Sequence, residues 1–125
     1  MPKNEQKRSS RKYWRDLGYR RCYCGTMLVW DNPDHPAAGT IEHLVPHSKG
    51  GTLAIKNTLL VCKTCNESRS SIDWYKWVEV NKPPKSDWLI AKYEDALLHY
   101  LALGKQVSVK IPLHVKQQHA KKVAV

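Results

Sequence analysis

Four cysteines, grouped in two close pairs, constrain the fold of this chain more than any other feature. The pairs are Cys22 with Cys24 and Cys62 with Cys65. The basic N-terminus lacks the apolar middle region of a secretory signal, so we expect a cytosolic protein, whose thiols stay reduced. Two pairs of thiols then predict a tetrahedral metal site rather than disulfides. A structural zinc ion also suits a chain of 125 residues, because a small core needs such a staple.

The spacing within the first pair leaves the ligand set open. The C-K-T-C pair at 62–65 has the two-residue spacing of a zinc knuckle, whereas the C-Y-C pair at 22–24 is one residue shorter. A site made of three cysteines and another ligand, such as His35, is the alternative to four thiolates. Four protein ligands would leave no open position for water, so we expect the zinc ion to be structural.

Positive charge is concentrated at the two ends of the chain. The formal net charge is +10, to which residues 1–21 contribute +6 and residues 105–125 contribute +5, whereas residues 22–104 sum to −1. A near-neutral body with two basic arms predicts a polyanionic partner, and we expect nucleic acid. Terminal charge that only keeps the protein in solution is the alternative. No apolar run is long enough for a membrane-spanning helix, and no membrane partner is expected.

Short apolar runs predict strands in three places. Residues 26–30 and residues 40–45 are separated by turn residues, and we expect them to pair as a hairpin with a long loop. A further strand is predicted over residues 107–111, where valine and isoleucine alternate with polar residues.

Two helices are predicted in the second half of the chain. The first begins near Thr64 or Asn66 and runs towards Tyr75, and the apolar stretch 72–80 is expected to be mostly buried. The second covers residues 88–103, where apolar residues recur at helical spacing, with Ser86 or Asp87 as its N-cap.

The most specific pattern lies between and around the cysteine pairs. It combines an acid-His pair, a proline, two glycines and two asparagines at fixed spacings: Glu42, His43, Pro46, Gly50, Gly51, Asn57 and Asn66. Together with the cysteines, this set resembles the HNH endonuclease family over residues 22–69. The resemblance implies an α+β fold with a ββα-metal core and a zinc knuckle of four cysteines, together with additional helices and basic terminal arms.

The residue types in this pattern suit the hydrolysis of a phosphodiester bond. A neutral imidazole, with an unperturbed pKa of about 6.5, can deprotonate water at neutral pH. A hard divalent ion supplies positive charge at the departing 3′ oxygen, and oxygen ligands suit Mg²⁺ or Mn²⁺. Taken singly, each of these residues could be a surface or turn residue with no functional role. A non-functional origin of the whole pattern would require this of every residue at its particular spacing.

The resemblance also implies a role for each polar member of the pattern. His43 is expected to be the general base, and Asn57 to brace the Gly-rich loop and orient His43. Glu42 and Asn66 are expected to ligate the catalytic ion. An amide in place of an imidazole at position 66 favours Mg²⁺ over a transition metal.

Three further residues are candidates for contact with DNA: His47, Lys49 and Arg69. Arg69 lies three positions after Asn66 on the same predicted helix, so the two residues share a face. A solvated helix surface is an equal alternative for Arg69, and simple exposure in a loop is the alternative for His47.

We predict four segments along the chain. Residues 1–21 form a basic N-terminal arm and residues 22–80 form the nuclease core with its zinc site. Residues 86–104 form a helix that packs on the core, and residues 105–125 form a basic C-terminal tail.

The predicted function is metal-dependent hydrolysis of DNA, with one strand nicked per site. A short chain of this kind is similar to phage or mobile-element nucleases, which implies the cytoplasm of a bacterial host and other phage DNA-processing proteins as partners. A non-catalytic zinc module that binds nucleic acid, and an adaptor of a DNA-packaging machine, are the alternatives. The acid-His pair and its spaced asparagines argue against a pure binding module, which needs none of them.

Overall fold

The computed structural model describes residues 3–123, with side chains from residue 10 onward. Within these residues the chain forms one two-stranded antiparallel sheet and five helices. The strands are β1 (Gly39–His43) and β2 (Thr58–Cys62), and the helices are α1 (Lys3–Asp16), α2 (Lys63–Arg69), α3 (Trp74–Asn81), α4 (Ser86–Leu103) and α5 (Leu113–Val123). The order β1-β2-α2 is that of a ββα unit, and the predicted α+β class is confirmed.

The register of the hairpin separates two chemical centres. His43, the last residue of β1, pairs with Thr58, and Gly39 at the other end pairs with Cys62. The acid-His pair therefore lies at one end of the sheet, and the second cysteine pair begins at the last residue of β2, at the other end. Every residue of β2 is buried, which agrees with the apolar run that follows Thr58.

The predicted pairing of residues 26–30 with residues 40–45 is wrong. Residues 26–30 contribute only isolated bridges, from Met27 to Arg21 and from Val29 to Ala38, and the partner of β1 is β2. The expected second strand also ends early. The main chain of residues 44–45 turns out of the sheet because its N–H groups bond to Asn57 instead.

The helix predicted over residues 64–75 is interrupted. Helix α2 ends at Arg69, because Ser70 adopts a positive φ of 51°, and α3 begins at Trp74 after the N-cap Asp73. The stretch 72–80 is buried along one side only. Its two tryptophans are buried, whereas Val80 is 70% exposed, because a short helix on the surface covers the core with a single stripe.

Helix α4 agrees with the helix predicted over residues 88–103, but its cap does not. Lys85 takes the N-cap position in a left-handed conformation, and the Ser86 hydroxyl donates to Pro83 O (2.6 Å) instead of capping the helix. The strand predicted over residues 107–111 is absent from the described chain. This segment is tied to the Gly-rich loop through Ser108 N and Lys49 O (2.8 Å), and α5 follows.

Both basic ends contribute to the core. The indole of Trp14 in α1 is buried and donates to Thr58 Oγ1 (3.1 Å) at the start of β2. Val115 of α5 is fully buried, and α5 packs along α4. The same α4 supports the Gly-rich loop, since Tyr100 Oη accepts a hydrogen bond from Thr52 N (2.9 Å). No helix among residues 3–123 is both long and apolar enough to cross a membrane.

Candidate functional site

The four cysteines converge on one point at the far end of the hairpin. Their Sγ atoms all lie within 4.8 Å of one another, and Cys24 Sγ is 3.8 Å from Cys62 Sγ. All four are free thiols. A tetrahedron with Zn–S bonds of about 2.3 Å has sulfur-sulfur edges of about 3.8 Å. The donor set and its spacing therefore fit one zinc ion.

Local backbone structure explains how the shorter first pair reaches this point. Gly25, with a φ of 92°, closes a tight turn in which its N–H donates to Cys22 O (2.9 Å). Cys62 is the N-cap of α2, and its Sγ accepts from Cys65 N (3.4 Å). The two turns bring both pairs together although their spacings differ.

The alternative fourth ligand, His35, is engaged elsewhere. Its Nδ1 accepts a hydrogen bond from Ala37 N (2.9 Å) within a turn, and it does not belong to the cluster of thiols. The structure therefore supports the ligand set of four cysteines over the set of three cysteines and a histidine.

Crowding of the thiols controls their protonation. A hydrogen bond from Cys65 lowers the pKa of Cys22 to about 5. The same hydrogen bond, together with burial, raises the pKa of Cys65 well above its usual range, and burial raises the pKa of Cys62 to about 11. The negative charge on Cys22 thus makes deprotonation of Cys62 and Cys65 less favourable. A cation that neutralises the cluster would release the remaining protons, which is the behaviour of a thiolate metal site.

A cleft of about 260 Å³ lies at the other end of the hairpin. Its walls come from the end of β1, the turn after it, and the end of α2 with the residue that follows: Ile41, Glu42, His43, Pro46, His47, Asn66, Arg69 and Ser70. The structure thus brings together the predicted base, both predicted ligands of the catalytic ion and two of the predicted DNA contacts. Asn57 and Lys49 lie outside these walls.

Glu42 carries an unsatisfied atom at the base of the cleft. The residue is 2% exposed, and its Oε1 lies 3.4 Å from Arg69 Nη1. Its Oε2 is buried and has no hydrogen-bond partner in the described part of the chain. Burial raises the pKa of Glu42 to about 8 although Arg69 opposes the shift. A buried carboxylate oxygen without a donor is a position that a hard cation can fill.

Asn66 presents its amide beside this carboxylate. Its Nδ2 donates to Thr40 Oγ1 (3.0 Å) and to Ile41 O (3.3 Å) on β1. These two bonds fix the side-chain amide, so Oδ1 is the atom that a metal ion would take. Thr40 is a positioning residue that sequence reasoning missed, because nothing in the pattern marks a threonine two residues before the acid.

Arg69 is buried beneath the cleft, which corrects both predictions made for it, the phosphate contact and the solvated helix surface. It is 2% exposed, and its guanidinium donates to His43 O (2.7 Å), Leu44 O (3.0 Å) and Ile72 O (2.8 Å). The guanidinium also lies over the Trp74 ring, 4.4 Å from its centre. The guanidinium is thus bound within the protein, and through these hydrogen bonds Arg69 fixes the main chain at the acid-His pair.

Asn57 holds the Gly-rich loop rather than the cleft itself. It is fully buried, its Oδ1 accepts from Val45 N (2.8 Å), and its Nδ2 donates to Val45 O (3.1 Å) and Thr52 O (2.8 Å). These contacts join the two ends of the loop directly behind the acid-His pair. His47 is exposed at the rim of the cleft, and Lys49 is half-buried in the same loop.

Comparison with known families addresses the segment that carries this cleft. Residues 30–73 match a family model described as HNH endonuclease. The resemblance to the HNH endonucleases is confirmed. The HNH segment covers β1, β2, α2 and the C-x-x-C pair, whereas Cys22 and Cys24 precede it. No curated protein and no solved structure matches the chain.

Gly51 in the HNH segment provides a test of the loop brace. A Cβ at this position would lie 1.7 Å from Val45 O and 2.8 Å from Asn57 Nδ2. We expect Gly51→Ala to destabilise the protein by about 1–3 kcal/mol or more, because the loop must open to admit the methyl group. The fall in Tm on thermal unfolding measures this effect.

Gly18→Ala is the matched control for this substitution. Gly18 has a φ of 91°, but nothing lies within 4 Å of its expected Cβ, so alanine there adds backbone strain without a clash. A Gly51→Ala protein that melts no lower than Gly18→Ala would mean that the close approach of the loop is absent in solution.

Proposed function

We propose that this protein is a metal-dependent DNA endonuclease that hydrolyses a phosphodiester bond in the cleft at the end of β1 and nicks one strand per site. The observation that carries the proposal is the unpartnered, buried Oε2 of Glu42, which shares one cleft with His43 and Asn66. A binding module would have no reason to bury a carboxylate oxygen without a donor, because such burial costs stability. The match of the HNH segment agrees with nuclease activity.

Each residue of the cleft has a role in this proposal. Glu42 and Asn66 would hold Mg²⁺ or Mn²⁺ through a carboxylate and an amide oxygen, and the ion would stabilise charge on the leaving oxygen. His43 accepts the proton of the attacking water at its imidazole. Arg69 and Asn57 are positioning residues, since they hold the main chain at His43 and at Val45.

The wider setting rests on the same proposal. We assign DNA as the substrate, a structural Zn²⁺ in the thiol cluster, and a phage or mobile-element type that acts in the cytoplasm of a bacterial host with other phage DNA-processing proteins. The basic character of α1 and α5 supports a polyanionic substrate, since their sequences contain Lys and Arg in excess of acids.

The experiment that tests the proposal measures nicking of supercoiled plasmid across a panel of metal ions. We expect nicking by the wild type with Mg²⁺ or Mn²⁺ and none after chelation. Glu42→Gln should lower the rate by about 100-fold or more with every metal, because it keeps the side-chain volume but removes the charged ligand. Asn66→Ala should be similarly weak in Mg²⁺, and Asn66→His should shift the preference towards Mn²⁺, Ni²⁺ or Co²⁺.

Glu79→Gln is the control for this panel, since Glu79 is an exposed acid on α3 that does not line the cleft. It should nick like the wild type. Normal nicking by both Glu42→Gln and Asn66→Ala would place the metal elsewhere. A folded wild type that binds DNA but fails to nick with any metal would favour the alternative of a non-catalytic module or an adaptor.

A further inference from the structure

A second depression adjoins the cleft on the side of α1. This groove has a volume of about 520 Å³ and shares Ile41 and Asn66 with the cleft. Its walls also include Arg11 of α1, Trp30 from the segment before β1, and Lys63 at the start of α2. Its volume lies within the range of about 300–1,000 Å³ that is typical of small-ligand sites. A nucleotide next to a phosphate held in the cleft is within reach of this groove, because the two depressions share Ile41 and Asn66.

Trp30 is a fixed aromatic ring in the groove. It is half-buried, and its indole packs so closely on β1 that a Cβ at Gly39 would lie 3.1 Å from the ring. The guanidinium carbons of Arg11 and Arg15 lie over the ring, 5.9 Å and 5.4 Å from its centre, so a base that stacks on this face displaces them outward. Rigid aromatic rings and planar guanidinium groups are the surfaces on which proteins stack unpaired bases.

The positive charge of these two arginines is not paired with an acid at short range in the described chain. Neither Arg11 nor Arg15 forms a salt bridge with any residue whose side chain the structure describes. Lys12, which lies between them in sequence, is instead paired with Asp16 (2.7 Å). The two guanidinium groups thus supply positive charge next to the ring, where a nucleotide would bring its phosphate.

We propose that this groove binds an unpaired nucleobase that neighbours the scissile phosphate, with the base stacked on Trp30 and Arg11. The proposal rests on the proposed function, since it places the cut strand in the cleft. A base within continuous duplex is already paired and stacked, and its removal costs free energy. The groove therefore makes the protein prefer single-stranded, flapped or frayed DNA to intact duplex.

The test measures binding without cleavage, in a His43→Ala background and without added Mg²⁺. Fluorescence anisotropy gives the Kd for a short single-stranded oligonucleotide and for the matched blunt duplex. We expect Trp30→Ala to weaken single-strand binding about tenfold or more and duplex binding less than about twofold. A 2-aminopurine base in the single strand should be quenched by the parent protein and not by Trp30→Ala.

Trp88→Ala is the matched control. Trp88 is also half-buried with a cation beside it, Lys92 Nζ at 5.6 Å from the ring centre, but it lines neither the groove nor the cleft. It should leave both affinities unchanged. Arg11→Gln gives a second test if Trp30→Ala folds poorly, and it should weaken single-strand binding more than Lys12→Gln does.

Two results would contradict the proposal that the groove binds an unpaired base. One is an equal loss of single-strand and duplex affinity in Trp30→Ala, and the other is no loss of either in both Trp30→Ala and Arg11→Gln. The proposed function is judged separately, by plasmid nicking. If the protein never nicks but shows the Trp30-dependent quenching, the proposed nuclease activity is wrong and base stacking is supported. If it nicks without this quenching, only the proposal of base binding in the groove is wrong.

Discussion

Replacing His43 with alanine should lower the rate of plasmid nicking by about 10²–10⁴-fold, which is the usual contribution of a general base. The effect should be confined to the chemical step. His43 is the last residue of β1, and its main chain is fixed by the Arg69 guanidinium at its carbonyl oxygen and by strand pairing with Thr58. Loss of the imidazole should therefore leave the hairpin, the melting temperature and the affinity for DNA close to those of the wild type. Single-turnover nicking at saturating plasmid isolates this step.

His47→Ala is the control that separates base catalysis from the general loss of an imidazole in the cleft. His47 is exposed at the rim of the same cleft, four residues after His43. Its removal should change the concentration of DNA needed for saturation more than the single-turnover rate. A His43→Ala protein that nicks at the wild-type rate would remove the assignment of the base, and equal losses in the two variants would assign the effect to binding.

The residues of the cleft and of the thiol cluster could be predicted because they belong to a spaced pattern. Spacing along the chain places Glu42 and His43 on one strand and Asn66 directly after Cys65, whatever the rest of the fold does. The structure brings these residues to the two ends of one hairpin. The place of each residue within its own segment follows from spacing, but the approach of Asn66 to Glu42 depends on the pairing of β1 with β2.

Pairing of the strands could not be predicted in the same way. The runs 26–30 and 59–61 are both short and apolar, and each is a reasonable partner for β1. The end of β1 is equally hidden, because the side chain of Asn57 takes the N–H of Val45 and so ends the strand at His43. A hydrogen bond across twelve residues leaves no periodic trace in the sequence.

The environment of Arg69 was also beyond sequence reasoning. An arginine three residues after Asn66 shares its helical face, and most arginines are exposed. Here the face lies beneath the acid-His pair, where three main-chain carbonyls, the Glu42 carboxylate and the Trp74 ring satisfy the charge. A fully buried arginine requires partners from several segments, and only the folded chain brings them together.

Replacing Cys62 or Cys65 with serine should unfold or aggregate the protein, which is the largest effect on stability that we expect. Structural zinc sites in small peptides bind with about 10–16 kcal/mol. That free energy matches or exceeds the total stability of about 5–15 kcal/mol of a typical domain. The thiol cluster joins the turn that carries Cys22 and Cys24 to the start of α2. Its loss therefore releases two segments that hold the hairpin.

The zinc content and the melting behaviour of the purified protein test this expectation together. Elemental analysis should find about one zinc ion per chain, since four thiolates complete one tetrahedron. Thr64→Ser is the matched control, because Thr64 lies between the two cysteines, is exposed, and would keep its hydroxyl bond to Pro36 O. It should retain zinc and melt near the wild type.

Mild chelation should stop nicking before it lowers Tm, since two oxygen ligands hold Mg²⁺ far more weakly than four thiolates hold zinc. A folded, zinc-free protein would show that the four cysteines are only buried thiols.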